Sequence, residues 1–309
     1  MYLNKIFELT KVLDADEFNT ILNRVYNNLD ETADGYTDRS MLNKGIMVLY
    51  RNSQYKKKIT VIVNANLIVN YTSDADKLIK KLNKRISAYF EKYTLNDFTL
   101  TGITVIADLS VGRDKVGDYL TVLNRIGKVK GFSSSEYKGV KGFCLDGNSN
   151  HTLFKIYDLE RLVQNRTEDN VKCFGGILRA EVQLTKAKAI SKFTDSTDTE
   201  RQIADIWDKS KNAFMETFAK IVPFGDFCKK DAAIDIICQR VSDLKLRRRM
   251  IELIDLIPEK KSLLLAQKAL NYRKIEYIME AFAKINLSPV TIGKRSNVKR
   301  LECLYSYLI

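Results

Sequence analysis

The chain has 309 residues, with 51 Lys plus Arg against 38 Asp plus Glu for a formal net charge of +13, and one His, five Cys, three Pro and one Trp. At 45% apolar and 29% charged it has an ordinary globular composition; no apolar run approaches the roughly 18 to 20 residues of a membrane span, and Met1 to Thr10 lacks a signal-peptide pattern, so a cytoplasmic location without membrane partners is expected. Cys144, Cys173, Cys228, Cys238 and Cys303 are odd in number with no CxxC pair, which argues against a disulfide frame or a structural zinc site, and a single His excludes any mechanism that needs two.

In chain order, Asp14-Ala-Asp16 opens a helical pattern carried by Phe18, Ile21, Leu22, Val25 and Leu29. Residues 45–51 and 58–66 read as two strands of a hairpin. Ser73-Asp-Ala-Asp76 caps an amphipathic helix through Tyr93, with Leu78, Ile79, Leu82, Ile86 and Phe90 on one face. A strand over 99–111 runs into a helix over about 114–126. Residues 127–150 shift to Lys, Gly and Ser, a basic loop with room for a short hairpin. A strand over 151–159 turns helical near 160–163, and Gly175-Gly176 opens a strand over 177–184. Past Phe193 the pattern is helical, over roughly 198–221, 230–244, 248–256, 260–270 and 272–286, with Pro223, Pro258 and Pro289 at expected helix stops. This predicts an α+β domain over 1–194, an antiparallel sheet with flanking helices, and an α-helical DNA-binding or accessory domain over 195–309.

Successive strand residues alternate faces, so the polar positions of these strands can be sorted. Arg179, Glu181 and Gln183 share one face of 177–184, opposite Leu178, Ala180 and Val182. Asp108 lies opposite the apolar Ile103, Val105, Ala107 and Leu109, and His151, Lys155 and Tyr157 share one face of 151–159. If the strands join one sheet, Asp108, Glu181, His151, Lys155 and Tyr157 converge. Two carboxylates beside a Tyr and a basic residue suit Mg²⁺ or Mn²⁺, which prefer oxygen ligands. A tyrosine hydroxyl facing a metal-bound phosphate can act as a nucleophile and form a phosphotyrosine ester. Each residue also has an ordinary use: a solvated carboxylate, a packing tyrosine, a hydrogen-bonded histidine.

The strings LTGITVIADLSVG, SNHTLFKIYDLERL and GILRAEVQL, in this order and spacing, resemble the core of filamentous-phage gene II-type rolling-circle replication initiators and related plasmid and mobile-element initiators. GYTDRSMLNKGIMVLYRNSQYKKKITVIVNANLIV and KINLSPVTI are similar to further segments of that family, so the likeness covers most of the chain. The resemblance implies a palm like that of the HUH nickases and a metal-dependent endonuclease and strand transferase that nicks and rejoins origin DNA, holding the 5′ end on a tyrosine. It implies Tyr157 as nucleophile, with His151 six residues before it, Asp108 and Glu181 as ligands of Mg²⁺ or Mn²⁺, and Arg179 toward the DNA; Lys155 and Glu160 stand nearby as charges outside the family pattern. The chain departs from the family at Thr104, where an acid is common, at Leu159, where a lysine is common, and at Leu162, where a glutamate is common. Those departures keep open a DNA-binding protein of the same fold that does not cut; a relaxase or transposase of a mobile element shares the chemistry.

The surplus positive charge favours a polyanionic partner, single-stranded or supercoiled origin DNA, with a host helicase or polymerase as further partners. Lys128, Lys130, Lys138 and Lys141 could funnel a strand toward Tyr157, with Phe132 and Tyr137 for stacking. Lys245 with Arg247, Arg248 and Arg249 is the densest basic run, and Lys294, Arg295, Lys299 and Arg300 form another. The helices over 260–270 and 272–286 read as a packing pair or a helix-turn-helix, and Trp207 and Phe214 as core.

Overall fold

The structure, a computed structural model, describes residues 2–53, 56–70, 73–136, 142–147, 151–164 and 175–308. In chain order its elements are β1 (Asn4–Leu13), α1 (Ala15–Val25), β2 (Leu29–Thr32), β3 (Gly35–Asp38), β4 (Ile46–Asn52), β5 (Lys57–Asn64), α2 (Ala75–Phe90), β6 (Thr99–Ser110), α3 (Val116–Asn124), β7 (Ser133–Ser134), β8 (Gly142–Gly147), β9 (Thr152–Asp158), α4 (Leu159–Gln164) and β10 (Ile177–Leu184). They continue with α5 (Ala187–Ile190), α6 (Thr199–Ile221), β11 (Phe227–Cys228), α7 (Lys230–Arg240), α8 (Leu244–Lys260), α9 (Leu263–Ala269), α10 (Ile275–Lys284) and β12 (Arg300–Leu301). The chain is α+β, with antiparallel sheet and helices, and no helix among the described residues is long and apolar enough to cross a membrane. Two compact units divide it, residues 2–106 with 183–214 and residues 107–182 with 215–309. Each unit takes residues from both sides of position 194, because the cuts fall inside β6, β10 and the unbroken helix α6.

In the first unit the strand order is β2-β3-β4-β5-β1-β6, and every pairing is antiparallel. The expected β4–β5 hairpin forms, with Val48 opposite Val61. Helix α2 carries the expected stripe of Leu78, Ile79, Leu82, Ile86 and Phe90, all buried, and starts at Asp74, whose Oδ1 accepts from Lys77 N at 2.9 Å. Each such fully buried side chain is worth about 1.5–3 kcal/mol relative to exposure. The central strand β1 escapes a reading by pattern because Lys5 and Lys11 interrupt its apolar positions. Both lysines stack on rings instead: Lys5 Nζ lies 3.8 Å from the centroid of Trp207 and Lys11 Nζ 4.4 Å from that of Tyr93. Burial lowers the Lys5 pKa, with Asp208 pulling the other way.

In the second unit the order is β6-β10-β9-β8-β7. Its apolar face, with Phe143, Phe154 and Ile156, packs against the end of α6, where Phe154 meets Phe218 edge-on at 6.1 Å. The segment after α10 is threaded into this core: Leu287, Ser288 and Val290 are buried, and Ser288 N donates to Asp226 O at 2.8 Å. Pro258 lies within the last turn of α8 rather than ending it; the helix stops three residues later, at left-handed Lys261 (φ 51°). Helices α9 and α10 both pack on α8.

Candidate functional site

Strands β6 and β10 are neighbours in the sheet, Val111 N donates to Gly176 O at 3.0 Å at their end, and Asp108 stands beside Arg179. Arg179 Nε and Nη2 each donate to one Asp108 carboxylate oxygen at 2.7 Å, a planar fork on a carboxylate. Burial alone would lower the Arg179 pKa; the Asp108 carboxylate, with Tyr157 and Glu181 behind it, outweighs that and raises it.

One pleat along β10 stands Glu181, 7% exposed and on the same face as Arg179. Tyr157 on the neighbouring β9 donates its hydroxyl to Glu181 Oε1 at 2.5 Å, and Lys155 Nζ lies 3.9 Å from Glu181 Oε2. Lys155 is 8% exposed and Tyr157 2%, so the ammonium, the carboxylate and the phenol share a poorly hydrated setting where each depends on the others. Across the β8–β9 ladder, Cys144 sits opposite Lys155. Burial raises the Cys144 pKa, with Lys155 pulling it down and Glu181 pushing it up. Gly142 sits opposite Tyr157, and a Cβ there would come within 2.6 Å of Ile156 O and 2.9 Å of Tyr157 Cβ. A side chain at 142 would therefore collide with the strand that carries the phenol.

Four of the five converging residues, Asp108, Glu181, Lys155 and Tyr157, thus share one face, Asp108 paired with Arg179 and the other three in one cluster. His151 does not join them. Strand β9 starts one residue later, and His151 occupies the turn before it in a left-handed conformation (φ 50°). Six residues of extended chain also separate its Cα from that of Tyr157 by about 20 Å, beyond the combined reach of the two side chains. Lys138, Lys141 and Tyr137 lie outside the described residues. Lys128 and Lys130 are exposed, with the Lys128 amide tied to Ser262 Oγ at 3.1 Å. Phe132 is already stacked, with Lys220 Nζ 5.2 Å from its ring.

The arrangement does not fit a hard divalent cation. Both Asp108 oxygens are taken by Arg179, and the Glu181 oxygens face the Tyr157 hydroxyl and the Lys155 ammonium, so two protein cations already stand where a metal would need its ligands. Among the described residues no group of three His, Cys, Asp or Glu gathers as a ligand set. The positions where the chain departs from the initiator pattern are used for packing: Thr104, Leu159 and Leu162 are all buried.

Sequence reasoning missed Asp158. Its side chain is buried, with Oδ2 accepting from Arg113 Nη1 at 2.7 Å and Oδ1 accepting from the amides of Glu160 and Arg161 at 3.1 and 3.3 Å. An Asp directly before a short helical pattern is a capping signal, and it was available in the sequence. In the first unit, a second tyrosine–carboxylate cluster also escaped notice. Tyr89 donates its hydroxyl to Asp38, whose other oxygen accepts from Ser40 N at 2.7 Å, and the Tyr50 and Tyr89 hydroxyls are 2.8 Å apart.

The dense basic run at the start of α8 divides by role. Arg247 donates through Nε and Nη2 to Val241 O at 3.0 and 2.7 Å and serves as a helix brace, and Arg249 pairs with Glu252 at 2.9 Å. Lys245 and Arg248 are exposed, and their side chains have no partner among the described residues. Near the C-terminus, Arg300 is held by Asp226 at 2.5 Å. Compared with known proteins, the chain matches no family model and no curated protein.

Proposed function

We propose that this protein initiates rolling-circle replication by nicking and rejoining single-stranded origin DNA through a covalent bond to Tyr157. The observation that carries the reading is the Tyr157 hydroxyl donating to Glu181 with Lys155 alongside: a nucleophile, a proton acceptor and a cation in one cluster. In the proposed step the Tyr157 oxygen attacks phosphorus as its proton passes to Glu181. The bond from phosphorus to the 3′ oxygen breaks, and Lys155 supplies the proton that leaves a free 3′ hydroxyl. The 5′ phosphate stays on Tyr157, and the reverse sequence rejoins the strand. Arg179 and Lys155 carry the positive charge toward the phosphate, so no step is assigned to a metal. Tyr157 is 2% exposed, so attack on a strand requires the phenol to become more accessible than it is here.

That burial favours a second reading, a DNA-binding protein in which the cluster is structural and no strand is cut. Incubating the full chain with single-stranded origin-derived DNA, in Mn²⁺ and separately in a chelator, separates the two. A covalent adduct that Tyr157→Phe abolishes is expected; its absence under both conditions with binding retained selects the second reading.

A further inference from the structure

We infer that the entrance to α8 holds a stacking site for single-stranded DNA, separate from the Tyr157 cluster. A cleft of about 640 Å³ opens there, lined by Lys245, Arg248, Arg249, Tyr272, Tyr277 and Leu244. Its size lies in the range of small-ligand sites, with room for a nucleobase and its phosphates.

The chemistry of the lining is divided in the way a strand requires. Lys245 and Arg248 are exposed and unpaired among the described residues, free to neutralise phosphates. Arg249 is held between Glu252, at 2.9 Å, and the ring of Tyr272, 5.8 Å from its centroid, so that ring is braced. Tyr277 is 45% exposed and Leu244 71%, large apolar surfaces at the mouth of a basic cleft. The one acid in the lining, Asp243, has Oδ1 turned to its own helix, accepting from Lys245 N and Leu246 N at 2.8 and 3.2 Å. Exposed aromatic rings offer a stacking surface that every base can use, and flanking cations track the backbone, so the occupant is a short run of unpaired strand bound without strict sequence choice. Protein partners would meet an unneutralised pair of cations, and a duplex would hide its base faces from Tyr277.

The inference adds a holding site to the proposed DNA reading and rests on it only for the nature of the strand. The test is fluorescence anisotropy of a labelled twelve-residue oligothymidylate with the full chain. Tyr277→Ala should weaken binding at least about fivefold while Tyr277→Phe stays near wild type, because stacking needs the ring and not the hydroxyl. Lys245→Ala with Arg248→Ala should flatten the salt dependence by about 1.4 in log–log slope, two single-strand phosphate contacts. All three variants alter exposed side chains, and far-UV circular dichroism checks their fold. Oligothymidylate binding within twofold of wild type in Tyr277→Ala, or a loss in Tyr277→Phe equal to that in Tyr277→Ala, overturns the stacking site and leaves the Tyr157 reading standing. Thymidine monophosphate binding as tightly as the oligomer would assign the cleft to a free nucleotide and overturn it too. Failure of the wild-type chain to bind the oligomer at all overturns the stacking site, while adduct formation on origin-derived DNA decides the Tyr157 reading by itself.

Discussion

Two regions of this molecule bury a tyrosine hydroxyl against a carboxylate, and they differ in what stands next to it. In the first unit Tyr89 donates to Asp38 beside Tyr50, and no ion pair to Asp38 is found among the described residues. In the second, Tyr157 donates to Glu181, with Lys155 3.9 Å from the same carboxylate and Arg179 one pleat away. The first cluster shows that a phenol on a buried carboxylate is a common way of satisfying polar groups in a core. The distinguishing feature of the second is an ammonium that faces the carboxylate itself. Burial holds the Tyr50 and Tyr89 phenols well above the ordinary tyrosine range.

The sharpest test of the contrast is stability. Glu181→Ala removes the carboxylate that faces both a buried ammonium and a buried hydroxyl and should cost about 3–5 kcal/mol in urea unfolding. Asp38→Ala strands only hydrogen-bond donors and should cost about 1–3 kcal/mol. Equal losses would mean that the cations contribute nothing. A smaller effect is expected in alkali. Tyr50 and Tyr89 have folded pKa values raised above the unfolded value of about 10, as do Tyr119 and Tyr305, in each case first through burial. Their contribution is therefore intact below about pH 10 and is lost as pH rises beyond it. Tyrosinate absorbance should grow together with the loss of helical circular dichroism; phenolate formation in a still-folded chain would contradict this. The smallest effect is expected of Asp108→Asn, which weakens a partly exposed pair and should cost no more than about 1 kcal/mol, while Tyr157 adduct formation continues. Loss of the adduct in this variant would mean that Arg179 needs Asp108 to hold it for the proposed reaction.

Much of this site was legible because β10 follows a period of two from Leu178 to Leu184. Arg179, Glu181 and Gln183 alternate with Leu178, Ala180 and Val182 over the strand bounds that the pattern predicts. Which carboxylate pairs with which cation was not legible, since that depends on the register between β6, β9 and β10. His151 was misplaced for a related reason: the sequence shows even spacing but not the left-handed backbone that takes the residue off the strand. Strand β1 was hidden by lysines at inward positions, and the run from Lys245 to Arg249 looked uniform although Arg247 is spent on the Val241 carbonyl. Charge density in a sequence counts cations without showing which are already occupied.

The stacking of Lys5 on Trp207 has an optical consequence. Trp207 is the only tryptophan in the chain, and a lysine ammonium from β1 lies 3.8 Å from the centre of its ring. Intrinsic tryptophan emission is therefore a built-in gauge of whether β1 is seated on α6, and it reports on the first unit alone. The unit that carries Tyr157 is dark at that wavelength. Emission and helical dichroism recorded on the same sample would show whether the two units melt as one.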